Sequence, residues 1–209
     1  AAWQAQGVSF HGVCTGYLHT PRQAGIIENM LRQRLPSFVM VDPVMADNGA
    51  FYSGLSEATA QAMRTLAAYA SVITPNVTEA ALLTGQAGLL RGPLSDADVR
   101  ALLDGLLALG AKAAVVTGCF LAQENMHYVY GCSADGPVFR FAYRHSAVRR
   151  FGTGDTFSAV LAGCLMRGHS LEKSASASLR FLNRAFEQAQ SQPSCEDGFA
   201  LESLLGELP

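Results

Sequence analysis

Short apolar runs alternate with amphipathic helical runs along most of this chain, and that alternation most constrains its fold. "SFVMVD", "SVITP" and "AAVVTG" are too short and too apolar for surface helices and read as buried strands. "FHGVCTGY" reads as a strand ahead of them. Between the strands, "TPRQAGIIENMLRQRL" predicts a helix with Thr20 as cap and Pro21 in its first turn. "SEATAQAMRTLAAYA" has helical period, and "NVTEAALLTG" predicts a short helix capped by Asn76 and stopped by Gly85. "SDADVRALLDGLLALG" opens on Ser95 with acids in its first turn and ends at Gly110. "PVMADNGAFYSG" reads as a long loop, and "MHYVYG" and "VFRFAY" as a hairpin around "CSADGP". After Gly152 the chain is expected to be helical for most of its remaining length. Such alternation predicts an α/β fold, a mostly parallel sheet covered on both faces with antiparallel strands extending it.

Length and composition narrow the function classes. The 209 residues are 49% hydrophobic and 15% charged, which fits one globular domain over 1–209. A chain of this size buries roughly 70% of its unfolded surface, so it needs no disulfide or metal to fold. The formal charge is -2 and no Lys/Arg block appears, which argues against nucleic acid and anionic membrane as partners. No apolar run has transmembrane length. The start, "AAWQAQGVSF", lacks the pattern of a signal peptide and reads like the tail of a helix entering a strand, as if the chain began inside a domain. Five widely spaced cysteines without a C-x-x-C suggest reduced thiols and a cytoplasmic setting.

In open α/β sheets, ligands bind beyond the carboxyl ends of the strands. The informative residues of this sequence fall there. "GTGD", 152–155, places two glycines and an acid at a helix start. The first amides of a helix lack intrahelical partners and can hold an anion, while Asp155 could take a proton from a hydroxyl. A plain capped helix end explains the same four residues equally well. Neither a Rossmann fingerprint nor a Walker loop is present. Asn76 and Glu79, three apart, could organise hydrated magnesium or form an ordinary capping pair. Asp42 ends a buried strand before Pro43, where it could reach a metal or serve as a turn residue. Thr117 and Gly118 are expected to close a core strand, where a hydroxyl and open backbone could meet a phosphate. Arg149 and Arg150 precede the glycines, either as phosphate contacts or, the favoured reading, as a solvated basic pair.

Together and in this order, "GVCTGYLHTPRQ", "VMVDPVMADNGAFYSG", "ASVITPNVTEAALLTG", "VVTG", "FGTGDTFSAVLAGCLMRG" and "DGFALESLLGEL" resemble the ribokinase-like superfamily. Within it the chain is most similar to the vitamin B6 kinases. The resemblance implies a three-layer α-β-α fold and ATP-dependent phosphorylation of the hydroxymethyl group of pyridoxal, pyridoxine or pyridoxamine. By that resemblance Asp155 is the catalytic base, and the amides of Gly152, Thr153 and Gly154 form an anion hole. Asn76, Thr117 and Gly118 meet the nucleotide phosphates, Asp42 and Glu79 serve magnesium, and Tyr17 lies beside the vitamin ring. ATP and Mg²⁺ are implied, a monovalent cation is left open, and a homodimer is expected. The hydroxymethylpyrimidine kinases of thiamine synthesis share "DPVM" and "ITPN" and are the nearest alternative. "TGYL" and "DNGAFY" favour the B6 kinases. The family usually carries a first strand and helix ahead of the point where this sequence starts. An N-terminally incomplete domain is therefore expected, with an open edge on its first strand. A catalytically inactive nucleotide-binding remnant is the second hypothesis.

Overall fold

The computed structural model describes residues 6–144, 150–191 and 198–208. Arg149, Cys195 and the first five residues, on which parts of the sequence reading fell, lie outside them. A six-stranded sheet forms the middle layer, in the order β1-β2-β5-β6-β7-β8. Its strands are β1 (Gly12–Thr15), β2 (Phe38–Val41), β5 (Val72–Ile73), β6 (Ala113–Leu121), β7 (Met126–Ser133) and β8 (Phe139–Tyr143). The first four pair in parallel, and β7 and β8 add antiparallel neighbours. β1 pairs with β2 and is the last strand on its side of the sheet among the described residues.

Side-chain alternation along the strands supplies both outer layers. Val39, Val41, Ile73, Ala114 and Val116 face one core, shared with α1 (Pro21–Gln33), α2 (Glu57–Ala67), α3 (Val77–Leu83) and α4 (Asp96–Ala108). Met40, Val72, Ala113 and Val115 face the other, packed on Phe157 and Leu161 of α5 (Thr153–Met166) and Leu179 and Leu182 of α6 (Leu171–Ser191). This is the three-layer α-β-α arrangement expected from the sequence. Among the described residues no helix is long and apolar enough to cross a membrane. Cys14, Cys119, Cys132 and Cys164 are free thiols.

Two local expectations change. The segment 43–54 is not all loop: β3 (Ala46–Asp47) and β4 (Ala50–Phe51) form a small antiparallel hairpin. Its turn places Asn48 at φ +50° and Gly49 at φ +80°, a left-handed pair suited to a two-residue connection. Nor do Thr117 and Gly118 close β6, which runs on to Leu121. The register with β7 slips between Val116 and Cys119, and Gly118, at φ +74°, carries that irregularity.

α4 packs closely against the end of α3. A Cβ on Gly105 would lie 2.7 Å from Cγ2 of Thr84. Gly105→Ala is expected to lower stability by about 1–2 kcal/mol, because that overlap outweighs the roughly 1 kcal/mol that alanine gains in a helix. The urea midpoint measures it, and an unchanged or raised midpoint would show that Thr84 yields freely.

Candidate active site

The backbone ladder continues past the parallel strand ends and sets the site residues in a row. The amide of Asp42 donates to the carbonyl of Thr15 (3.2 Å), Thr74 to Val41 (3.0 Å), and Thr117 to Pro75 (3.0 Å). Asn76 and Thr117 thereby sit opposite one another across an isolated parallel bridge. Thr15, Asp42, Thr74, Asn76 and Thr117 thus line the carboxyl edge, where a doubly covered sheet presents ligands.

α3 begins at this edge and closes on itself. Oδ1 of Asn76 accepts from the amide of Glu79 (3.0 Å), and Oε2 of Glu79 accepts from the amide of Asn76 (2.9 Å). The capping pattern legible in the sequence therefore forms. The same two side chains also grip the hairpin. Oε1 of Glu79 accepts from the amides of Met45 (3.0 Å) and Ala46 (3.4 Å), and Nδ2 of Asn76 donates to the carbonyl of Ala46 (2.8 Å). Thr78 adds a bond from the amide of Gly49 to its hydroxyl (3.0 Å). Glu79 is 3% exposed, and burial pushes its carboxyl up to about 8 against the pull of these amides, with the charge of Asp42 adding to the rise.

Asp42 is buried at the end of β2. Ser158 of α5 donates a hydrogen bond to its Oδ2 (2.7 Å). Burial raises the Asp42 carboxyl to about 6; the Ser158 bond opposes the rise and the charge of Asp155 adds to it. The charge of Asp155 thus acts on Asp42, and that of Asp42 on Glu79. Asp155 itself is exposed, in the first turn of α5.

The start of α5 differs from those of α3 and α4, which are closed by Asn76 and Ser95. Gly152 is its N-cap, at φ +80°, and no side chain caps the helix. A residue with a Cβ would be strained at that φ, which explains the glycine. Among the described residues, no hydrogen bond engages the amides of Gly152, Thr153 or Gly154. The Thr153 hydroxyl turns back to the carbonyl of Arg150 (2.8 Å) instead. Tyr17 stands 51% exposed just past β1, its hydroxyl 3.1 Å from Nδ1 of His19, and no hydrogen bond joins it to Asp42 or Asp155. Arg150 donates to the carbonyl of Ala189 (3.3 Å), which ties it to α6.

The raised carboxyls give a pH dependence with a definite sign. Their ordinary values are 3.8 and 4.5, so the folded chain holds more protons than the unfolded one from there up to about 8. Stability contributed by Asp42 and Glu79 is complete below that window and is lost as pH rises through it. Urea midpoints in metal-free buffer should therefore fall between about pH 5 and pH 8. Asp42→Asn should flatten the lower part of that fall. A midpoint climbing towards pH 8 would contradict the assignment.

A mostly parallel sheet with antiparallel strands on one side, and a glycine-led helix setting an acid over its carboxyl edge, is the ribokinase-like architecture. The chain belongs to the phosphomethylpyrimidine kinase family, whose model matches residues 3–198. It is 32% identical over 205 residues to the pyridoxine/pyridoxal/pyridoxamine kinase of Bordetella avium, covering 92% of this chain and 66% of that protein. It is 31% identical over 157 residues to the hydroxymethylpyrimidine/phosphomethylpyrimidine kinase of Rhizobium meliloti, covering 75% of this chain and 57% of that protein. The crystal structure of pyridoxal kinase from Lactobacillus plantarum superimposes with a TM-score of 0.87 at 32% identity, over 99% of this chain and 73% of that one. The chain thus spans two thirds or less of the length of these two curated relatives.

Proposed function

We propose that this chain is an ATP-dependent kinase acting on the hydroxymethyl group of a B6 vitamer: pyridoxal, pyridoxine or pyridoxamine. The observation that carries the proposal is the uncapped start of α5, whose first amides take no hydrogen bond among the described residues and whose exposed Asp155 acts by its charge on buried Asp42. Asp155 accepts the proton of the substrate hydroxyl as its oxygen bonds to the γ-phosphorus. The bond from that phosphorus to the bridging oxygen breaks, and ADP leaves with the electron pair. The amides of Gly152, Thr153 and Gly154 face the charge that builds on the phosphoryl oxygens. Asn76, at the start of α3, and Thr117 and Gly118, at the irregularity within β6, frame the nucleotide phosphates. Tyr17 lies beside the vitamin ring.

Magnesium fits the donors present. Among the described residues no group of three His, Cys, Asp or Glu side chains forms an all-protein cage. Asp42 and Glu79 offer hard carboxylate oxygens, and Mg²⁺ takes one or two such groups plus phosphate oxygens and water. Both oxygens of Glu79 already accept backbone bonds, so Asp42 would be the direct ligand and Glu79 would act through water. When bound, the metal supplies charge neutralisation on the phosphate oxygens. A homodimer and a cytoplasmic setting belong to the same proposal.

The second reading is hydroxymethylpyrimidine as acceptor, favoured by the similarity to the Rhizobium protein. Turnover of the purified 209-residue chain with ATP, Mg²⁺ and each of the four candidate acceptors, run in parallel, separates them. The highest kcat/KM is expected on a B6 vitamer. Product from hydroxymethylpyrimidine alone would select the second reading. Nucleotide binding without product from any acceptor would leave a non-catalytic protein.

A further inference from the structure

Ser158 lies one turn beyond Asp155, on the same side of α5. It is buried and bonded twice: its hydroxyl gives its one proton to Oδ2 of Asp42 (2.7 Å) and lies 3.3 Å from Oγ1 of Thr74. A hydroxyl has one donor, so Thr74 donates to Ser158 and the order is Thr74, Ser158, Asp42. Three elements meet in this relay: the ends of β2 and β5 and the helix that carries Asp155. The other oxygen of Asp42, Oδ1, takes no hydrogen bond among the described residues. Ser158 thus fixes the rotation of the Asp42 carboxylate and leaves one oxygen unengaged.

We propose that Ser158 is a positioning residue for metal binding, holding Asp42 through Oδ2 so that Oδ1 is presented to the cation beside Asp155. The proposal rests on the magnesium role given to Asp42 above. Hydrogen-bonded partners of a ligating carboxylate typically change metal affinity by about 10–100-fold when removed. Thr74 supports the same arrangement from β5 by holding the Ser158 oxygen.

The test measures Mn²⁺ binding to the full 209-residue chain in the presence of ADP, by the electron paramagnetic resonance signal of free Mn²⁺. Ser158→Ala is expected to weaken binding about 10-fold, and Ser158→Thr, which keeps the hydroxyl, to retain most of it. In an Asp42→Asn background, Ser158→Ala should change affinity by less than about twofold, because its effect passes through Asp42. Thermal unfolding of each variant identifies any that is misfolded; should Ser158→Ala be so, Thr74→Val supplies the weaker perturbation and is expected to weaken Mn²⁺ binding in the same direction. Equal losses in both backgrounds, or no loss from Ser158→Ala while Asp42→Asn abolishes binding, would overturn the positioning role alone. Unchanged binding in Asp42→Asn would overturn the metal assignment, and the positioning role with it.

Discussion

Asp155→Asn is expected to lower kcat on the preferred acceptor by about 10²–10⁴-fold while leaving the fold intact. Asp155 is exposed in the first turn of α5, and an amide of the same size keeps the helix start and its free backbone groups. What it loses is the ability to accept the hydroxyl proton. Substrate binding should change far less than kcat, since the loss falls on the transition state. The thermal midpoint should stay near that of the unmodified chain. Full turnover by Asp155→Asn would remove Asp155 from the chemistry and return the four residues 152–155 to a plain helix start.

Glu79→Ala should have the largest effect on stability. One carboxylate closes the first turn of α3 and accepts from the amides of Met45 and Ala46, more than thirty residues earlier in the chain. Met45 and Ala46 are fully buried, so their amides would be left without partners or water. Each stranded buried donor costs about 1–3 kcal/mol, and a combined loss on the order of 3 kcal/mol follows. Glu79→Gln keeps a single acceptor oxygen but turns an NH₂ group towards N–H donors, so its loss should be intermediate. Urea unfolding orders the two variants. Hydrogen exchange at Met45 and Ala46 should accelerate in both, since the hairpin is pinned by the same side chain. A Glu79→Ala protein as stable as its parent would show that the hairpin is held by other contacts.

Much of the fold is legible in the sequence. The caps at Asn76 and Ser95, the buried strands of the parallel core and the acid behind two glycines at 152–155 follow from local rules of period and hydrogen bonding, and all three stand in the structure. The hairpin in 43–54 escaped because strands of two residues have no detectable period. The extension of β6 escaped because Gly118 reads as a stop, whereas here it supplies the positive φ of an irregularity within a strand. The second role of Glu79 is invisible locally: its capping partner is three residues away, but Met45 and Ala46 become neighbours only once the sheet has formed. Ser158 lies in the apolar run "TFSAVLAG", where a serine carries no signal of its own. Its spacing of three from Asp155 was the available hint, and it gains meaning only from the strand end that α5 meets.

Phosphoryl transfer from ATP to a hydroxymethyl group, with Asp155 as base, is what the proposed site would carry out. The most direct test incubates the purified chain with ATP, Mg²⁺ and pyridoxal and follows the products by mass spectrometry, beside Asp155→Asn. Pyridoxal 5'-phosphate and ADP are expected in equal amounts from the unmodified chain, and a rate lower by about 10²–10⁴-fold from the variant. ADP formed without a phosphorylated acceptor, or equal rates from the two proteins, would contradict it.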